Sequence, residues 1–259
     1  MGAARAIEAE NMHLLIVNPN TTSSMTAKIE ASAIRVAASG TRISAATSMM
    51  GPASIEGYYD EALAVPGLLM QIARGEREGA DAAIIACFDD TGLDAARALA
   101  GIPVIGICEA ALATVSFIAQ RFTVVTTMER SRLPIEALVE RYGMGRRAKV
   151  RAADIPVLAL EDAGADAIGR LRAEIAAALR EDHAEAIVLG CAGMADLAHR
   201  LEAEFGVPVV DGVSAAIKQA EALVSLGLKT AKRGPYATPV GKSYAGILSI
   251  FNPGSLVSP

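Results

Sequence analysis

Two stretches of the chain carry one pattern twice: GADAAIIACFDDTGLDAARALAGIPVIGICEAA at residues 79–111 and DHAEAIVLGCAGMADLAHRLEAEFGVPVVDGVSAA at 182–216. In each, an apolar run of strand length ends at a cysteine, an Ala-rich amphipathic run follows, and a second apolar run opens on a proline. Cys87 precedes Pro103 by sixteen residues and Cys191 precedes Pro208 by seventeen. A shorter echo lies ahead of each copy, HLLIVNPNTT at 13–22 and RFTVVTTMER at 121–130. Working outward, strands are expected at 13–18, 42–47, 81–86, 102–107, 122–126, 149–157, 185–190 and 207–211. Helices are expected at about 21–38, 60–78, 92–100, 109–119, 131–142, 165–182, 194–205 and 213–226. Near-continuous apolar strands suit a parallel sheet covered on both faces, and regular strand–helix alternation means α/β. The expected fold is therefore two similar parallel-sheet βα lobes of four strands each, 12–119 and 120–226. A pseudo-twofold relates them, and the active site lies in the cleft between. Residues 1–11 read as a loose extension. Residues 227–259, with Gly234-Pro235, Pro239 and Pro253, read as an irregular tail packed on the body.

Composition removes several classes of function. The 259 residues are 52% apolar and 20% charged, which excludes a disordered chain and is enough for a core without disulfide or metal staples. A net charge of −5 without a basic stripe argues against nucleic-acid and anionic-membrane partners. With 4% aromatics and no Trp, a base-stacking surface is not expected. Three cysteines without a C-x-x-C pair point to a reducing cytosol, hence a cytoplasmic protein. Residues 1–11 mix Arg and Glu and lack the apolar run of a signal peptide. No apolar run reaches the roughly 18–20 residues of a membrane span.

In parallel sheets, ligands bind beyond the carboxyl ends of the strands. Cys87 and Cys191 both sit there, each ahead of a helix whose N-terminus is expected to favour the thiolate. Two thiols facing one ligand from opposite sides form the geometry of a two-base racemase. One thiolate takes the α-proton and the opposing thiol reprotonates the planar enolate from the other face. A free Cys is often an inert core residue, but equivalent placement in two repeats favours function. Cys108 aligns with Val213, so it reads as packing. Asn18-Pro19-Asn20-Thr21-Thr22 closes the first strand, either as a turn with a helix cap or as short donors for an enolate oxygen. Thr126 and Thr127 hold the matching place in the second lobe, with the same two readings open. Asp90 is expected to cap the next helix. Asp89 is a candidate acceptor for a ligand N–H and, beside Cys87, disfavours an anionic substrate; Phe88 adds an apolar wall. Other apparent signals fall away. Gly241-Lys242-Ser243 lacks the first glycine of a phosphate loop. His199 lies eight residues from Cys191, roughly 12 Å along a helix. His13, His183 and His199 are too dispersed for a metal site.

The motifs NPNT at 18–21, ACFDDTGLDAAR at 86–97, GICEA at 106–110 and LGCAGM at 189–194 span most of the chain. Together they resemble the aspartate/glutamate racemase superfamily, and within it the hydantoin/allantoin racemases. The resemblance implies a cofactor-independent racemase with Cys87 and Cys191 as the acid/base pair, no metal, and a homo-oligomer. It also implies binding positions at Asn18 and Thr126 and at the backbone amides after each cysteine, from Phe88 and from Ala192 and Gly193. Amino-acid racemases of the superfamily carry Asn-Thr after the first cysteine, whereas this chain has Phe88-Asp89. That departure implies a neutral ureide rather than free aspartate or glutamate. Arylmalonate decarboxylases keep only the second-lobe cysteine. The expected activity is racemisation of 5-substituted hydantoins, whose C5 proton is flanked by a carbonyl and a ureide nitrogen and so needs no pyridoxal phosphate. The alternatives are an allantoin racemase, an aspartate/glutamate-type racemase, a non-catalytic ureide-binding protein, and a Cys-dependent hydrolase for which no partner base is visible.

Overall fold

A computed structural model describes residues 12–160 and 165–253; the expected extension over 1–11 lies outside them. The first lobe holds β1 (Met12–Asn18), α1 (Ser23–Val36), β2 (Thr41–Thr47), α2 (Tyr58–Arg77), β3 (Ala82–Ile85), α3 (Leu93–Leu99), β4 (Val104–Gly106) and α4 (Ile107–Ser116). The second repeats the order with β5 (Phe122–Thr126), α5 (Glu129–Arg141), β6 (Ala148–Ala152), α6 (Ala165–Glu181), β7 (Ala186–Gly190), α7 (Ala198–Phe205), β8 (Val209–Asp211) and α8 (Gly212–Ser225). Two four-stranded sheets result, ordered β2-β1-β3-β4 and β6-β5-β7-β8, with every pairing parallel.

Alternation along the inner strands decides which layer each side chain joins. Leu14, Ile16 and Ile84 share one cluster with side chains of α4 and α8, and so do Val124 and Val188 from the other sheet, so one buried core runs through both lobes. The opposite faces pack under their own helices: Leu15, Val17 and Ile85 against Leu68 and Ile72, and Val125, Ile187 and Leu189 against Leu171 and Ile175. Each such side chain contributes roughly 1.5–3 kcal/mol of burial. The outer strands β2 and β6, TRISAAT and AKVRA, are only partly buried, which explains their charged and small residues.

The lobes meet where α4 and α8 start. A β-carbon on Gly212 would lie 2.5 Å from the Ile107 carbonyl oxygen and 2.9 Å from the Ile107 Cβ. The obstacle is backbone, so it cannot rotate aside. Gly212→Ala is expected to cost about 1–3 kcal/mol, as overpacked cores do. A thermal melt should then fall by several degrees, at about 2–4 °C per kcal/mol for a chain of this size. An unchanged melting temperature would contradict this packing.

Two details differ from expectation. The strand expected over 149–157 ends at Ala152, because Asp154 takes a left-handed φ of +53° and Pro156 fixes the chain. The segment after it still follows β5, with Ala153 N–H donating to the Thr126 carbonyl and Ile155 N–H to that of Thr127, both at 2.9 Å. It then turns through a 3-10 stretch, Val157–Leu160. Asp90 does not cap α3; it caps α4, as described below. In the tail, Lys232 Nζ donates to the carbonyls of Arg97 and Ala98 at the end of α3 and of Ala100 just after it, and Tyr236 Oη donates to Asp94 at 2.9 Å. No helix among the described residues is long and apolar enough to cross a membrane.

Candidate active site

In each sheet the chain moves from the first strand to the outer edge, then crosses to the opposite side. The carboxyl ends of the two inner strands therefore flank a switch point, where open α/β sheets form clefts. β1 ends at Asn18 and β5 at Thr126; Cys87 follows β3 and Cys191 follows β7. All four residues line a single cavity of about 40 Å³ between the lobes, together with Asn20, Phe88, Asp89, Thr127 and Ala192. Gly193 does not line it; its amide instead hydrogen-bonds the Cys191 sulfur. Cys108 is fully buried in the shared core.

The polar groups divide into those spent on the fold and those left over. Asn18 Nδ2 donates to Asn20 Oδ1, Thr26 Oγ1 and the Thr22 carbonyl, and its Oδ1 accepts from Asn20 N–H. Asn18 therefore holds the turn that shapes the cavity wall. Asn20 Oδ1 also accepts from Thr22 N–H at 2.9 Å, and Thr126 Oγ1 donates to the Gly190 carbonyl at 3.1 Å. Thr127 and Ser131 line the cavity, and their hydroxyls form no hydrogen bond within the protein among the described residues.

The helix starts favour both thiolates, yet both thiols stand above the ordinary thiol value. Burial pushes Cys87 well above the usual thiol value, with the Asp89 carboxylate adding to it. Burial likewise pushes Cys191 up to about 11, with Asp89 contributing the same way. The amides of Asp89 and Gly193 do favour the respective thiolates, as a helix start should, but loss of water outweighs them. The helical segments after the cysteines are also short, seven residues in α3 and a six-residue 3-10 turn after Cys191. Charge on Cys191 also raises Cys87 from across the cavity. Asp89 itself is raised to about 7, by burial first and then by Glu61 and Asp90.

Asp90 locks the Cys87 turn. At φ +46°, its carboxylate swings away from α3 and accepts from Cys108 N–H at 2.9 Å, Glu109 N–H at 3.0 Å and Tyr142 Oη at 2.7 Å. It thus caps α4 from a distance and ties on α5. Gly106 permits this, since a β-carbon there would lie 2.2 Å from Asp90 Oδ1. Burial raises Asp90 to about 6, against the lowering effect of these hydrogen bonds.

The roof was not foreseen. Ile55, from the segment between β2 and α2, and Val157, after β6, close over the cavity with Met25. Glu56 Oε1 accepts from Val157 N–H at 3.1 Å, clasping one lobe to the other. Ser131 had one available signal: the alignment that pairs Asn18 with Thr126 also pairs Ser23 with Ser131. Among the described residues, no group of three His, Cys, Asp or Glu side chains could hold a metal.

Comparisons with known proteins show the family of the chain. The family described as Asp/Glu/Hydantoin racemase matches residues 14–220. A hydantoin racemase of Rhizobium meliloti is 53% identical over 236 residues, 91% of this chain and 98% of that protein. A hydantoin racemase of Pseudomonas sp. (strain NS671) is 48% identical, over 93% of this chain and 97% of that one. The solved structure of an allantoin racemase from Klebsiella pneumoniae is similar with a TM-score of 0.91 at 46% identity, covering 94% of this chain and 100% of that chain.

Proposed function

The chain belongs to the Asp/Glu/Hydantoin racemase family and is a racemase acting on a small molecule, and we propose that its substrates are 5-substituted hydantoins, inverted by Cys87 and Cys191. The observation that carries this reading is the pair of half-buried thiols at repeat-equivalent strand ends, sharing one cavity with the Asp89 carboxylate. One thiolate takes the C5 proton and becomes a thiol, leaving an enolate delocalised onto the ring carbonyl. The opposing thiol gives its proton to the other face of C5 and becomes the thiolate. Charge on the enolate oxygen is met by unspent donors such as Thr127 and Ser131, and Asp89 accepts a ureide N–H. Only one thiolate is needed at a time, so the mutual charge of the pair favours the singly ionised state that the cycle requires.

Allantoin is itself a hydantoin with a ureido group at C5, and the likeness to an allantoin racemase keeps it as the second reading. Met25, Ile55 and Val157 make the roof apolar, which favours apolar C5 substituents. The reading extends to a homo-oligomer in the cytoplasm, where free thiols stay reduced.

Polarimetry on enantiopure 5-benzylhydantoin and (S)-allantoin, each beside a buffer blank, tests the proposal. Rotation of the benzylhydantoin should decay to zero faster than the blank, with EDTA present or absent. Decay of allantoin alone would move the assignment to the second reading. Loss of activity on chelation would overturn the metal-free mechanism.

A further inference from the structure

Thr91 is fully buried, and no partner meets hydrogen-bond geometry with its Oγ1. A desolvated hydroxyl left idle is costly, and such groups call for a reason. The other unpartnered buried side-chain atom among the described residues is His13 Nδ1, near the start of β1 at the far end of the sheet from the cavity. Thr91 instead lies four residues after Cys87, in the turn leading out of β3.

That turn holds Thr91 from both sides. Asp90 is fixed by its three hydrogen bonds to α4 and Tyr142. Gly92 sits at φ +66°, so close to α2 that a β-carbon would meet Val65 at 3.1 Å and Leu68 at 3.2 Å. The hydroxyl therefore cannot swing out to water, and the group it acts on is the Cys87 sulfur, where it favours the thiolate. A hydroxyl without a partner beside a neutral thiol gains a strong acceptor once the thiol ionises.

The second lobe has no such group, because the residue four places after Cys191 is Ala195. The two thiols are served differently by their surroundings. Cys87 is faced by the charges of Asp89 and Cys191, and relieved by Thr91 and the Asp89 amide. Cys191 is faced by Asp89 and Glu56, and relieved by Lys28 and the Gly193 amide.

We propose that Thr91 is a positioning residue that serves Cys87 alone, donating its hydroxyl to the sulfur whenever Cys87 gives up its proton. The proposal rests on reading Cys87 and Cys191 as the acid/base pair, and makes that pair chemically unequal despite the symmetry of the fold.

The test is iodoacetamide alkylation across pH, with each cysteine followed separately by peptide mass spectrometry, in wild type, Thr91→Val and Thr91→Ser. Alkylation reads the thiolate directly and needs no substrate. Thr91→Val should slow Cys87 labelling roughly tenfold at a given pH, the effect of losing one hydrogen bond to a charged group. Cys191 should stay within about twofold, and Thr91→Ser should restore Cys87 to within about threefold. Thr91→Val should melt no lower than wild type, since the resting hydroxyl bonds to nothing. If that variant does not fold, Thr91→Ala serves for the same comparison. With 5-benzylhydantoin in deuterium oxide, Thr91→Val should slow C5 exchange of one enantiomer only. Unchanged Cys87 labelling, or equal slowing of both thiols, overturns the proposal. If wild type exchanges neither enantiomer, the hydantoin reading fails, and the alkylation profile still decides Thr91.

Discussion

Cys87→Ser and Cys191→Ser should each lose hydantoin racemisation by several orders of magnitude, while Cys108→Ser stays within a few-fold of wild type. Serine keeps the size of the side chain but its hydroxyl ionises several pH units above a thiol, and each unit is about 1.4 kcal/mol against forming the base. Both cavity thiols already sit above the ordinary value through burial and Asp89, so little reserve exists. Cys108 packs at 0% exposure in the core shared by the lobes. Its serine variant should lose stability instead, about 1–3 kcal/mol for a buried hydroxyl without a partner. Polarimetry and a thermal melt on the three variants separate these outcomes. Near wild-type racemisation by either cavity variant would remove that cysteine from the mechanism.

Asp89→Asn should move thiol reactivity and turnover in opposite directions. Asp89 raises both Cys87 and Cys191 through its charge, so the neutral amide should speed alkylation of both thiols severalfold near pH 8. The proposed acceptor for a ureide N–H is weakened at the same time, and racemisation should fall roughly 10–100-fold, as for a lost charge-assisted hydrogen bond. The stability of the fold should shift with pH as well. Folded Asp89 keeps its proton up to about pH 7 because it is buried, whereas an unfolded aspartate releases it near 4. A raised carboxyl favours the fold fully below the unfolded value, and that contribution is lost as pH rises through 7. Asp89→Asn removes this dependence. Its melting temperature should gain on wild type between pH 5 and pH 8, by an amount on the order of 3 kcal/mol at most. A gain that shrinks as pH rises, or slower alkylation of both thiols, would contradict the role given to Asp89.

Much of the architecture is legible in the chain because its determinants are local. HLLIVN, AAII, FTVVT and AIVLG are apolar on both faces and short, which leaves few options besides inner parallel strands. The repeat then places Cys87 and Cys191 at matching strand ends without reference to three-dimensional structure. What escaped depends on residues far apart in sequence. Ile55 and Val157 belong to irregular segments without periodicity, and they meet only because the lobes face each other. Asp90 caps α4 rather than the helix that follows it because Gly106, sixteen residues on, leaves room for a carboxylate. The net direction of the thiol shifts is hidden from the sequence for a related reason. A helix start can be read from sequence, but the loss of water that outweighs it is a property of the closed cavity. The partners of Asn18 are likewise set by the fold: its amide donates to Asn20, Thr22 and Thr26.

The central claim is that two thiols act on opposite faces of one carbon. It is tested most directly by following the C5 proton signal of each pure hydantoin enantiomer by NMR in deuterium oxide, with Cys87→Ser and Cys191→Ser and the uncatalysed rate subtracted. With one thiol intact, the enantiomer presenting its proton to that thiol should still exchange deuterium without inversion, and the two variants should prefer opposite enantiomers. If both variants exchange the same enantiomer, or either one inverts its substrate at the wild-type rate, the two-thiol account is contradicted.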